Sequence, residues 1–219
     1  PLNVIIFPLL AGSFGSIGLG ALYLALSENH SAIVAPSSAV IAVAIPVIYN
    51  VFTGGLPPTT ALIGFAIALV SIWLVSQTEN GSVPLSKKGL ALTIGSGIGL
   101  GMFYIFMGQT PKGYIFSPLI LSRSAALIVT SILFLISRDG VKGSLSNPIA
   151  ILSGLLDAGG NALYMLARQF TREDIAVVLS SMYPAVNVLF AWMIVKEPVS
   201  RKQWLGVVLC VAAVGLISI

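Results

Sequence analysis

An all-α bundle of membrane-spanning helices is the fold class this chain predicts, on three observations. Eight apolar segments occupy nearly all of its 219 residues, each at or near the roughly 17 to 25 residues that a spanning helix needs. The turns between them are short. With 57% hydrophobic and 8% charged residues, the chain carries more apolar surface than a soluble packing can take in. Strands of an outer-membrane barrel would alternate in polarity over about ten residues, whereas these runs are continuous and longer, so a barrel is excluded.

The first span runs from Val4 to Leu26; it is too long for a signal-peptide core and no charged region precedes it. The second, Ala32 to Phe52, follows a turn holding the only histidine, His30. The Gly54-Gly55-Leu56-Pro57-Pro58 turn separates it from the third, Thr59 to Ser76. The fourth, Gly89 to Gly108, carries Gly95, Gly97, Gly99 and Gly101. These glycines do not fit a dinucleotide G-x-G-x-x-G spacing and follow no strand; they predict close helix packing. The fifth, Tyr114 to Ser137, and the sixth, Pro148 to Ala167, each contain one deep charge, Arg123 and Asp157. The seventh, Asp174 to Val195, contains Pro184, which frees the carbonyl of Ser180. The eighth, Gln203 to Ile219, carries the single cysteine, Cys210, expected as a small buried residue.

An internal repeat is legible. Ala21-Leu22-Tyr23-Leu24 recurs as Ala162-Leu163-Tyr164-Met165, Ser37-Ser38 as Ser180-Ser181, and Gly64 as Gly206, with the offset holding at 141 to 143. Spans one to three therefore correspond to spans six to eight. The fourth and fifth then lack partners, and the chain begins at Pro1 and stops at Ile219 inside an apolar run. The expectation is a five-plus-five arrangement lacking its first two helices here, with both ends cut; five being odd, the repeats are inverted. Residues 1–80 form the last three helices of the first repeat and 87–219 the second repeat.

Several of these residues also resemble a known family. Leu179-Ser180-Ser181-Met182-Tyr183-Pro184, then Val195-Lys196-Glu197-Pro198 and Gln203-Trp204-Leu205-Gly206, are similar to the closing signature of EamA-type carriers of the drug/metabolite transporter superfamily. Asp157 ahead of Gly159-Gly160-Asn161-Ala162-Leu163-Tyr164 looks like that family's eighth helix, and Leu121-Ser122-Arg123-Ser124 like its seventh. The first half departs from the pattern, having no counterpart of Glu197. The resemblance implies helices three to ten of ten, a bacterial cytoplasmic membrane, and transport of small metabolites, often outward.

Connections after spans one, three, five and seven carry Lys87, Lys88, Arg138, Lys142, Lys196, Arg201 and Lys202; those on the opposite side carry Lys112, Arg168 and Arg172. The positive-inside rule places the first set in the cytoplasm. The family's arrangement, with both termini cytoplasmic, reverses this and is followed here. The sequons Asn29-His30-Ser31 and Asn80-Gly81-Ser82 are matches of a kind expected by chance. Scattered loop cations account for the net charge of +4 without a nucleic-acid partner.

Charges within a span cost at least about 2.5 to 3.5 kcal/mol each on insertion scales, so they face protein or a water-filled cavity. Arg123 lies nine residues into its span and Asp157 ten from the far end of the next, which at about 1.5 Å rise per residue sets them at similar depth. Such a pair serves either as a substrate or proton-coupling site or as a permanent salt bridge. Asp157, Asn161, Tyr164 and Arg168 share one stripe of their helix, and Ser180, Tyr183 and Asn187 mark the next span. Polar helix-to-helix bonding is the competing account of Asn161 and Asn187. Tyr104 is a candidate cavity wall or a core aromatic. No second histidine or cysteine exists to build a metal site, no cofactor motif is present, and no nucleophile-base constellation suggests catalysis. These readings converge on a secondary carrier of small polar or amphipathic metabolites, such as amino acids, working by alternating access in the bilayer, with proton coupling one option. A lipid head-group flippase and a non-transporting membrane scaffold are the alternatives.

Overall fold

The computed structural model describes residues 2–28, 31–75, 86–137, 147–190, 192–193, 196 and 199–217. His30, Arg138, Lys142, Glu197 and the asparagines of both sequons lie outside the described residues. The described residues form helices joined by turns, with no strand among them. In order they are α1 (Asn3–Glu28), α2 (Ser31–Gly54), α3 (Thr59–Val75), α4 (Lys87–Gly108), α5 (Phe116–Ser137), α6 (Pro148–Phe170), α7 (Glu173–Ser180), α8 (Tyr183–Phe190) and α9 (Arg201–Ile217). Among the described residues five helices are long and apolar enough to cross a membrane: α1, most of α2, α4, α5 and α6. Helices α3 and α9 have 17 residues each, at the short end for a crossing.

The seventh predicted span requires correction. It is two eight-residue helices, α7 and α8, separated by a turn at Ser181 and Met182. Pro184 follows at the start of α8: a proline has no N–H, so the regular bond back to the Ser180 carbonyl cannot form and a helix is readily interrupted in the turn before it. The last turn of α7 tightens instead, with the Ser181 N–H donating to Val177 O and Val178 O and the Met182 N–H to Leu179 O.

Helix α1 packs along α4 and α5, α2 along α4, and α3 along α9. Glycines make the first of these contacts possible. A Cβ on Gly99 would lie 2.7 Å from Gly18 Cα and 2.9 Å from Phe14 O, distances below any real Cβ contact, so α1 and α4 touch backbone to backbone. Gly97 and Gly101 admit Ile41 and Ile45 of α2 in the same way, while a Cβ on Gly95 would meet open space. Between α2 and α4 the hydroxyls of Ser38 and Ser96 hydrogen-bond at 2.5 Å. Between α3 and α9 the Ser71 hydroxyl donates to Gly206 O at 2.7 Å.

Two apolar cores result. One gathers Phe65, Ala68 and Ile72 of α3, Met182 and Ala185, and Val207, Cys210 and Ala213 of α9. The other gathers Ala11 of α1, Met107 of α4, Tyr164 and Met165 of α6, and Ala176 and Val177 of α7. Helix α7 belongs to both, since Val178 packs in the first.

Candidate functional site

The polar stripe of α6 connects two environments. The N-terminal half of the helix is exposed on nearly every face, from Ile149 and Leu152 to Leu155 and Leu156. At its end Asp157 meets Arg123 of α5, with Nη2 to Oδ2 at 2.5 Å and the side chains 59% and 40% exposed respectively. The pairing is bonded further: Asn161 Nδ2 donates to Asp157 O at 2.8 Å and to Asp157 Oδ1 at 3.2 Å. Helices α5 and α6 otherwise touch little, so this ion pair is the main polar link between them. In lipid an exposed pair of this kind would be poorly tolerated, so the face it occupies has to meet protein or water.

One turn on, the stripe becomes buried. Tyr164 is 3% exposed and packs edge to face on Tyr104, ring centroids 5.3 Å apart. Tyr104 is half-buried, packs against the second core and also meets Phe103 edge to face. Ser180 is half-buried at the end of α7. The side chains of Tyr183 and Asn187 lie outside the described part of the structure. The structure thus joins Arg123, Asp157 and Asn161 in one cluster and seats Tyr164 in a core, with half-buried Tyr104 packed against it.

A second charged cluster lies where α4, α6 and α7 meet, and the sequence argument missed it. Arg168, 4% exposed, donates from Nη1 to Met107 O at 2.8 Å and from Nη2 to Thr110 O at 3.1 Å and to Gly108 O. The final carbonyls of a helix lack intrahelical partners; the guanidinium fork reaches two of those of α4, at Met107 and Gly108, while Gln109 N–H donates to Ile105 O. Glu173 Oε2 faces Arg168 Nη2 at 4.0 Å, and the other oxygen, Oε1, is buried without a hydrogen-bond partner. The Glu173 carboxyl fills the space that a side chain on residue 108 would need, which only glycine leaves open. Beside it Arg172 clasps fully buried Asp174 through Nε at 3.1 Å and Nη2 at 3.0 Å, and reaches Gly55 O at 2.9 Å. Burial pushes the Glu173 carboxyl up to about 7, Arg168 opposing and Asp174 adding to the rise. The hydrogen bond to Asp174 raises the Arg172 guanidinium further. A recess of about 750 Å³ opens over the cluster, lined by Gly108 to Lys112 and by Arg168 and Phe170 to Glu173. The signal available in sequence was three charges in a row, Arg172-Glu173-Asp174, at a turn where charge is ordinary.

Among the described residues no three histidines, cysteines or carboxylates converge as a metal site. Apolar helices of spanning length, glycine-mediated packing and a charged pair within the spans define an integral membrane protein of the polytopic helical class. Residues 87–219 match the model of the EamA-like transporter family, and the chain belongs to that family, whose members are membrane transporters of the drug/metabolite superfamily. One solved structure, titled only as the crystal structure of a protein, superposes with a TM-score of 0.74 over 100% of this chain and 89% of its own, at 11% sequence identity. That likeness concerns the fold alone. No curated protein matches the sequence.

Proposed function

We propose that this protein is a secondary carrier that moves small polar or amphipathic metabolites, amino acids or related compounds among them, by alternating access. The observation that carries the reading is the Arg123–Asp157 pair, placed within two spans, 40% and 59% exposed, and joining helices that otherwise barely pack. A half-exposed carboxylate and guanidinium that face each other can exchange partners with a zwitterionic substrate, the charges remaining balanced throughout. Asn161 supports Asp157, and Ser180, Tyr183 and Asn187 are the further candidates for contact with the substrate. Tyr104 and Tyr164 form the floor beneath the pair rather than contacts to the ligand.

In this reading residues 1–80 and 87–219 belong to the two halves of an inverted five-plus-five repeat in a bacterial cytoplasmic membrane, and transport runs outward.

The test is thermal stability of the purified protein against amino acids, nucleosides, sugars and lipophilic cations, for wild type and Asp157→Asn. A ligand that raises the wild-type melting temperature and loses that effect in the variant is the expected result. Equal stabilisation of both proteins would remove Asp157 from the site, and no stabilisation by any compound would turn attention to a flippase or a scaffold.

A further inference from the structure

Glu173 takes no part in the Arg123–Asp157 site, and it combines three features. Its carboxyl is mostly buried, with a side chain 14% exposed. One of its oxygens has no hydrogen-bond partner. It also lines an open recess through which water and protons can arrive. Burial of an ionised carboxylate without full pairing is costly, and the usual outcome is that the group takes up a proton.

The groups around it can be named element by element. Helix α4 presents Gly108 and, deeper, Tyr104; the α4–α5 connection presents Lys112; α6 presents Arg168 and Tyr164; the turn before α7 presents Arg172, and α7 itself Asp174. From α1 the neighbouring core receives the apolar Ala11. Of the cations, Arg168 has Nη1 and Nη2 committed to the carbonyls of α4, and Arg172 is committed to Asp174 and Gly55. Arg168 Nε is buried without a hydrogen-bond partner, and the guanidinium comes no nearer to Glu173 than 4.0 Å, from Nη2, which is beyond hydrogen-bonding distance.

We propose that Glu173 is a proton-binding site at the recess between α4, α6 and α7, and that its protonation latches these three helix ends together. The inference rests on the carrier reading and assigns the proton as its coupling ion. In the latched arrangement the neutral carboxyl lies against Gly108 with no ionic charge to solvate. When the proton leaves to water in the recess, the carboxylate remains in a site that does not solvate it, and the stable alternative draws Glu173 outward, separating α7 from the end of α4. The raised value of about 7 has the sign this requires, because the packed form holds the proton more tightly than a form with Glu173 in water. The site is separate from Asp157, so one carrier can have its proton at the rim and its substrate among the spans.

Two measurements on the full chain in lipid nanodiscs test this without any substrate. The first is infrared titration of protonated carboxyl groups in wild type, Glu173→Gln and Asp157→Asn. A protonated band with a midpoint near 7 is expected in wild type and in Asp157→Asn, and its loss is expected in Glu173→Gln. Persistence of the band in Glu173→Gln overturns the assignment. The second is the distance between spin labels at Leu56→Cys and Phe116→Cys, both exposed positions, in a Cys210→Ala background. One short distance is expected below the midpoint and a longer component above it, with Glu173→Gln holding the short distance at every pH. A wild-type distance that ignores pH overturns the latch. Should Glu173→Gln not fold, Glu173→Asp replaces it: the shorter side chain withdraws from Gly108 and the midpoint falls, and an unchanged midpoint counts against the proposal. Because neither readout involves transport, a failed ligand screen with a successful titration rejects the carrier reading and retains the proton site.

Discussion

Replacing Arg168 with Met keeps the length and apolar stem of the side chain and removes the fork that holds the end of α4. Two well-formed hydrogen bonds to Met107 O and Thr110 O disappear, together with the contact to Gly108 O. Hydrogen bonds from a charged donor contribute about 1.5 to 3 kcal/mol each. Other partners, water in the recess among them, can reach some of the released carbonyls, so the bonds do not simply add. The lost partner of Glu173 contributes less than a tight buried pair would, since 4.0 Å is a long contact and the carboxyl can escape by protonation. Together these give a destabilisation of about 3 to 5 kcal/mol, the range found when one member of a buried ionic cluster is removed. Chemical denaturation in mixed micelles, followed by helical circular dichroism, measures it. The double variant Arg168→Met with Glu173→Gln should recover part of the loss at high pH, because no carboxylate is then left behind. A loss under about 1 kcal/mol in the single variant would show that Arg168 is not the clamp that its geometry describes.

Three further outcomes are expected. Gly99→Ala should cost about 1 to 3 kcal/mol by forcing α4 away from the backbone of α1, whereas Gly95→Ala, with open space at its Cβ, should be neutral or stabilising by up to about 1 kcal/mol; paired melting curves decide this. Wild-type stability should fall as pH rises from Glu173's ordinary value of 4.5 through about 7, because the folded state binds this proton more tightly than the unfolded state does. The drop should level off above that window and be smaller in Glu173→Gln, as denaturation midpoints across a pH series would reveal. Arg123→Gln should abolish ligand stabilisation as Asp157→Asn does, and the double variant should be no worse than either single one; additive losses in binding titrations would separate the two side chains.

Much of the helix order was legible because a spanning helix announces itself by length and continuous apolarity, which need no knowledge of neighbours. The fourth span's glycines likewise announced close packing, and Gly97, Gly99 and Gly101 are contact points; that Gly95 is not could only come from the rotation of α4 against α1 and α2. The break at Ser181 and Met182 was hidden by the same hydropathy that revealed the span. Proline pointed to a freed carbonyl but not to a full interruption, which falls ahead of it at Ser181 and Met182, with Tyr183 already helical in α8. Arg123 and Asp157 could be paired on paper because helix rise converts sequence position into depth. Glu173 could not, since a charge beside a turn is normally solvated. What buries it is the end of α4, which lies 65 residues earlier in the chain at Gly108.

The break between α7 and α8 has one more consequence, for the way this stretch can face. Interrupting a helix leaves peptide groups without their regular partners, and hydrocarbon offers none. Lipid is thus barred from the side of the chain where Ser181 and Met182 turn, and both residues are indeed only 5% exposed. A short interruption of hydrogen bonding acts as a compass for the bundle: it points inward, and any substitution that restored a straight helix there would remove the polar reason for that stretch to keep its back to the membrane.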